Sequence, residues 1–348
     1  MLNNRQKIIL EQIDQIGALT AKKIIKHLQN AWPNLSKPTV SRDLAGLLKQ
    51  GRIAKTGQAR STKYLSKKSH AFLNFVDPEK YFLTAPDQRV IKNNFNWAIF
   101  SQLKNLFTAA EILELKKLNN AYQLRLTNFP PSALKKEIER LTIELSWKSS
   151  QLEGNTYTLL DTELLLTKKI KAPGHSAQET EMILNHKNAL DYIFSNKQKF
   201  KNLKPDAIRR VHSLLIKNLG IPDNWRAILV GVTGTAYKPL DNQWQIKEAV
   251  EKTCAAINAE PEPIAQAFLA GALIAYIQPF IDGNKRTGRL IADAVLLAHN
   301  WCPLSYRSID EAAYKKAILL IYEQNNFRLF KQLFVEQYKF ATKNYFGR

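Results

Sequence analysis

Residues 265–297 limit what this chain can fold into more than any other stretch. Residues 265–276 (AQAFLAGALIAY) carry no charge, and residues 290–297 (LIADAVLL) are mostly apolar. Each predicts a helix buried on nearly every side, because neither offers water a polar face. Between them runs a short segment dense in charge, residues 277–289 (IQPFIDGNKRTGR). Asp282-Gly283-Asn284 is turn chemistry that opens directly into the second helix. A helix N-terminus has unsatisfied N–H groups and a partial positive charge, which together suit a phosphate. Arg286 and Arg289, three residues apart, share a face and offer forked donors to a polyphosphate. Asp282 is placed to hold the Mg²⁺ that accompanies a nucleotide. A capped helix start with solvated arginines is the plain alternative. It leaves unexplained why a buried helical pair carries two arginines and an aspartate at its turn.

The 348 residues allow two or three domains and a substantial core. Apolar content of 45% and charged content of 23% are ordinary for a globular chain. Cys254 and Cys302 lie far apart without metal-ligand spacing, which argues against a disulfide framework and fits a reducing compartment. No apolar run reaches membrane-spanning length and the first residues have no signal-peptide core, so the expectation is a cytoplasmic protein with no membrane partner. A secretion signal read by a specialised apparatus would escape that reading.

The net charge of +21 is uneven. Residues 1–70 hold 14 Lys and Arg against 3 Asp and Glu, a local net of +11. Such an excess is a footprint for polyanions, nucleic acid foremost, with a solubilising surface as the alternative. Residues 3–16, 21–29 and 38–50 read as three helices, capped at Thr20 and Ser36 and stopped at Gly17 and Gly51. Residues 52–55 and 62–65 read as two strands of a hairpin. Three helices and a basic hairpin resemble a winged helix-turn-helix along residues 1–68. That resemblance implies duplex DNA as a partner, with Lys37, Thr39, Ser41 and Arg42 facing the groove and Arg60 and Lys63 on the wing facing phosphates. A winged helix used for protein contact alone is the other reading.

Residues 69–84 lose the helical period and read as a linker that packs on the next domain. From about residue 88 the pattern is helical almost throughout, including 132–153, 176–196, 205–218, 310–322 and 326–345. His186 and His212 fall inside helices without a metal-ligating neighbour and read as packed or surface residues. Residues 226–239 break the run, and short β-branched stretches around glycines predict a β-hairpin flap.

Residues 278–289 also carry a resemblance. Phe280, Asp282, Gly283, Asn284, Arg286 and Arg289 match, in order and spacing, the signature of Fic-domain proteins, His-x-Phe-x-Asp/Glu-Gly-Asn-x-Arg-x-x-Arg. The signature histidine is Gln278 here, and Lys285 stands where many relatives have glycine. The resemblance implies a mainly α chain: an all-helical Fic fold over 85–345 with a small β-hairpin flap, preceded by the winged-helix domain. It implies that Gly283, Asn284, Lys285, Arg286 and Arg289 hold ATP, that Asp282 holds Mg²⁺, and that Gln278 occupies the catalytic position. Residues 149–155 (SSQLEGN) resemble the family's inhibitory motif, in which Glu153 would pair with Arg289 and exclude the γ-phosphate. The segment 226–239 resembles the family's flap, where Val232, Thr233, Gly234 and Thr235 would bind a protein target by strand addition.

Fic enzymes transfer AMP from ATP to a protein hydroxyl, and the motif histidine takes the proton. A glutamine amide cannot do so near neutral pH. Whether the chain is an enzyme is thus left open by Gln278, and three readings follow: an ATP-binding adenylyltransferase-like protein with weak or altered transfer, a DNA-binding regulator with a nucleotide-sensing Fic domain, or an interaction module without nucleotide. Lys285 also resembles the death-on-curing branch, which implies a phosphotransferase as a further alternative. A homo-oligomer is compatible with all of these.

Overall fold

The structure, a computed structural model, describes residues 2–66, 70–91 and 94–346; the side chains of Gln15 and Arg60 lie outside the described set. The chain divides into two compact units, Met1–Thr84 and Ala85–Arg348.

The first unit is built on α1 (Asn4–Ile16), β1 (Leu19–Thr20), α2 (Ala21–Gln29), α3 (Lys37–Lys49), β2 (Ile53–Thr56) and β3 (Lys63–Ser66). Each helix starts on a side-chain cap: Asn3 accepts from the Gln6 amide, Thr20 from Lys23 and Ser36 from Thr39. Ile9, Ile13, Ile24, Leu28, Val40, Leu44 and Leu47 supply its core. The strands order as β1-β3-β2, all antiparallel, with Leu19 opposite Tyr64 and Ile53 opposite Ser66. The two-residue β1 is absent from the sequence reading, since so short a strand has no period to read. Residues 70–84, expected to be a linker packing on the following domain, belong to the first unit instead. Phe72 is buried, and the Phe75 ring lies against Gly17, where an added Cβ would come within 2.1 Å of it. One helical turn, α4 (Pro78–Tyr81), follows.

The second unit is all helical. It comprises α5 (Ala109–Thr127), α6 (Pro131–Gln151), α7 (Leu159–Lys168), α8 (Ala177–Asn196), α9 (Pro205–Leu215), α10 (Gln243–Ala259), α11 (Pro263–Ile277), α12 (Asn284–Ala298), α13 (Glu311–Gln324) and α14 (Arg328–Asn344). At its centre α11 and α12 pack against each other, and every residue of α11 from Ile264 on is buried. Gly271 and Gly288 allow the close approach: a Cβ on Gly288 would sit 3.0 Å from the Gly271 carbonyl oxygen. Helices α10, α13 and α14 cover α11, while α6, α8 and α9 cover α12. The charge-free and apolar runs of the sequence are the two helices that these six enclose.

Two sequence expectations change. Ahead of α5 the chain forms 3₁₀ turns, Pro86–Gln88 and Trp97–Gln102, rather than α-helix. The 226–239 flap contains no strand; among the described residues the one sheet belongs to the first unit. Several of the flap's backbone groups are engaged elsewhere. Arg226 N–H donates to the Pro279 carbonyl, the Arg226 guanidinium to that of Ile228, and the Arg89 guanidinium to that of Gly234. A turn from Val232 to Thr235 closes the tip.

Arg89 also meets Glu323 of α13 through Nη2 at 2.9 Å and Nε at 3.0 Å, both side chains almost wholly buried. Arg89→Ala removes the cation facing a buried carboxylate and is expected to cost about 3–5 kcal/mol. Urea unfolding checks this, and a loss below about 1 kcal/mol would show that the flap base stands without this pair.

Candidate functional site

The site forms where α11 hands over to α12. Helix α11 ends at Gln278, whose backbone is left-handed (φ 50°, ψ 61°). Five residues on, Gly283 (φ 80°) opens α12 with no side chain capping it. Its left-handed φ is the conformation glycine adopts most readily. The first N–H groups of a 15-residue helix therefore face the loop.

Asn284 locks this loop. Its Oδ1 accepts from Phe280 N–H at 2.9 Å and its Nδ2 donates to the Phe280 carbonyl at 2.8 Å. Its amide is thereby committed to the loop itself, and its backbone N–H lies in the first turn of α12. Phe280 is stacked on His212, ring centroids 3.5 Å apart and planes 2° apart, and His212 Nε2 meets the Asp282 carbonyl at 2.9 Å. Burial pulls the His212 imidazole down to about 4. Its neutral form is thus fully favoured above the ordinary value near 6.5, and that contribution is lost as pH falls toward 4.

The two arginines differ. Arg286 is 1% exposed and meets Asp282 Oδ2 at 3.1 Å, while its Nε and Nη1 have no hydrogen-bond partner among the described residues. Burial lowers its pKa. Orphaned donors on a buried guanidinium are costly and call for an anion. Arg289 is fully engaged: Nε donates to Ser149 Oγ at 2.8 Å, Nη1 to Tyr314 Oη at 2.9 Å, and Nη2 to the Ser149 carbonyl and Glu153 Oε1 at 2.8 and 2.9 Å. Burial alone would lower its pKa, but Tyr314 and Glu153 more than reverse that.

Glu153, just beyond the end of α6, is held twice. Oε1 pairs with Arg289 and Oε2 with Lys285 Nζ at 2.8 Å, so one carboxylate bridges two cations in the first turns of α12. Gly154 (φ 95°) turns the chain away immediately afterwards. His186 of α8 supports this cluster through Ser149 Oγ at 2.8 Å. Burial first, then Arg289 and Arg286, hold its pKa well below the ordinary value.

Gln278 sits at the head of the loop. Its Nε2 donates to Tyr322 Oη at 2.7 Å, and its carbonyl accepts from Arg226 Nε at 2.6 Å. The Asp282 carboxylate is 63% exposed beside the start of α12. The structure thus brings Glu153, Asp282, Lys285, Arg286, Arg289 and Gln278 around one helix N-terminus. The tip residues are less enclosed: Thr233 and Gly234 are exposed, Val232 and Thr235 half-buried. In the first unit Lys37, Ser41, Arg42 and Lys63 are exposed, and Thr39 is half-buried with its hydroxyl 2.9 Å from that of Ser36; the Arg60 side chain lies outside the described residues. Sequence reasoning did not find Ser149's double contact, Tyr314, Tyr322 or Arg226. Each lies far along the chain from its partner, and no local spacing marks it.

Residues 202–296 match the family model described as the Fic/DOC family. A protein adenylyltransferase Fic of Nematostella vectensis is 29% identical over 201 residues, covering 55% of this chain and 46% of the relative. The Caenorhabditis elegans protein adenylyltransferase fic-1 is 22% identical, covering 56% and 39%. The chain therefore spans less than half the length of these curated relatives. Among solved structures, Fic-1 (residues 134–508) of C. elegans superposes with a TM-score of 0.59 at 18% identity, over 68% of this chain and 71% of that one. A Fic-domain signalling protein of Bacteroides thetaiotaomicron gives 0.55 at 22%, over 67% and 96%. No helix of the described residues is long and apolar enough to cross a membrane. The segment that matches the Fic/DOC family model contains α11, the loop with its two arginines and all but the last residues of α12.

Proposed function

We propose that the second unit binds ATP with its phosphates at the N-terminus of α12 and supports AMP transfer to a protein hydroxyl, restrained by Glu153 and slowed by Gln278. One observation carries this reading most. Glu153 places its carboxylate between Lys285 and Arg289, while Arg286 beside them keeps two unpartnered buried donors. Three cations around a helix N-terminus are a site for more negative charge than one carboxylate supplies. Glu153 then acts as an internal anion that a triphosphate must displace from Lys285 and Arg289.

In the transfer, the hydroxyl oxygen attacks the α-phosphorus in line, the bond to pyrophosphate breaks, and the hydroxyl proton passes to a phosphate oxygen of the nucleotide or to water. Lys285, Arg286, Arg289 and the α12 N–H groups would spread the developing charge, and this positioning and neutralisation supply most of the catalysis in phosphoryl chemistry. Mg²⁺ fits Asp282. Its exposed carboxylate would hold the ion together with substrate phosphates and water. When bound, the ion neutralises phosphate charge. Gln278 cannot accept the hydroxyl proton.

Parallel incubation of wild type and Glu153→Gly with α- and γ-labelled ATP tests this. Protein label from the α position alone supports AMP transfer. Label from γ alone replaces it with a phosphotransferase, the alternative that Lys285 favours. Label from neither, with ATP bound, leaves a nucleotide-sensing regulator.

A second reading concerns the first unit, favoured by the exposed Lys37, Ser41 and Arg42 on α3 and Lys63 on β3. It is a winged helix that binds duplex DNA, with α3 in the major groove. If it engages about four phosphates, affinity falls about a hundredfold between about 50 and 200 mM salt. Fluorescence anisotropy with duplex DNA measures this, and no binding at low salt would turn the unit to protein contact.

A further inference from the structure

Every helix C-terminus leaves carbonyl groups without an intrahelical partner. In α11 the Ala275 carbonyl would take the N–H four residues on, but that residue is Pro279, which has none. Tyr322 of α13 fills the gap: its hydroxyl donates to the Ala275 carbonyl at 2.9 Å. A phenol has one proton to give. Having given it there, Tyr322 can only accept from Gln278, 2.7 Å away, so the group facing Tyr322 is the amide nitrogen and its donor.

The rest of the residue is equally held. Arg226 Nε donates to the Gln278 carbonyl and Arg226 Nη2 approaches that of Ile277, fixing the left-handed backbone. The Tyr322 ring is buried and stacked on Tyr237, centroids 5.1 Å apart and planes 13° apart. Gln278 Oε1 takes no hydrogen bond from any described residue and is not among the buried polar atoms left without one. It therefore keeps some exposure, on a residue that is 9% exposed as a whole.

We propose that Tyr322 is a positioning residue that locks the Gln278 amide with its oxygen turned outward, so that position 278 presents an acceptor for a hydrogen bond from a neutral donor, with one of its two amide protons committed to Tyr322. On the adenylyl-transfer reading, on which this last step rests, the donor is the hydroxyl of the protein substrate. Gln278 then aligns that hydroxyl without taking its proton. The orientation of the amide does not depend on that reading.

The test uses the full chain with ¹⁵N-labelled glutamine side chains. The Gln278 resonance is identified by its loss in Gln278→Glu. Its side-chain protons should exchange with water about fivefold or more slowly than those of exposed glutamines. Tyr322→Phe should bring them to the exposed rate, while Tyr338→Phe, on α14, should not. Calorimetry should show ATP affinity in Tyr322→Phe within about twofold of wild type, since Tyr322 orients a group that meets the hydroxyl rather than a phosphate. Fast exchange in wild type, or protection that survives Tyr322→Phe, overturns the proposal. In the Glu153→Gly background, Tyr322→Phe should lower transfer with ATP affinity unchanged. Complete absence of transfer there removes the adenylyl-transfer reading, while the exchange data still decide the orientation.

Discussion

Replacing Glu153 by glycine is expected to tighten ATP binding by about tenfold to a hundredfold, the usual span of coupling between a displaced group and a ligand. Two contacts set the size. The carboxylate holds Arg289 at 2.9 Å and Lys285 at 2.8 Å, and both must be surrendered before either cation can meet a phosphate. The same substitution should lower the stability of the nucleotide-free protein by about 3 kcal/mol, because Arg289 is 1% exposed and loses its counter-charge. Saturating ATP should restore that loss by mass action. Glu153→Gln keeps the volume and removes the charge, and it should recover most of the gain in affinity. Calorimetric titration measures all three proteins. Equal affinity across them would remove Glu153 as a restraint.

Gln278→His, made in the Glu153→Gly background, is expected to raise protein labelling from α-labelled ATP by about 10²–10⁴-fold, the span of general-base help. Histidine tolerates the left-handed backbone of this position better than most residues. Its rate should rise with pH through about 6.5 as the imidazole loses its proton and becomes able to accept one. The glutamine protein should lack that inflection. Equal initial rates in the two proteins would mean that the proton leaves by another route.

Much of this site was legible because turn chemistry and helix caps are local. Asp282-Gly283-Asn284 read as a turn, and Gly283 does open α12 in a left-handed conformation. The charge-free run of α11 announced a helix with no solvent face, and all but its first residue are buried. The Glu153–Arg289 contact joins residues 136 apart, and only the family resemblance drew them together. Lys285 as a second hold on Glu153 was not legible at all, since a lysine beside an arginine predicts no partner. Asn284 was expected to face a nucleotide, yet its amide closes the loop on Phe280, a turn bond available to any asparagine there. The β-branched residues of 226–239 predicted paired strands, but the segment forms none, and its Ile228 and Gly234 carbonyls accept from Arg226 and Arg89 instead. Tyr322 escaped notice because its role arises from a missing N–H at Pro279, 43 residues earlier.

On the proposed function, the N-terminus of α12, with Lys285, Arg286 and Arg289, receives a polyphosphate. Calorimetric titration of Glu153→Gly with adenosine, AMP, ADP and ATP in the presence of Mg²⁺ tests it most directly. Affinity should rise with each added phosphate and weaken with salt, as contacts to charged oxygens require. Equal affinity for adenosine and ATP, or no binding of either, would contradict it.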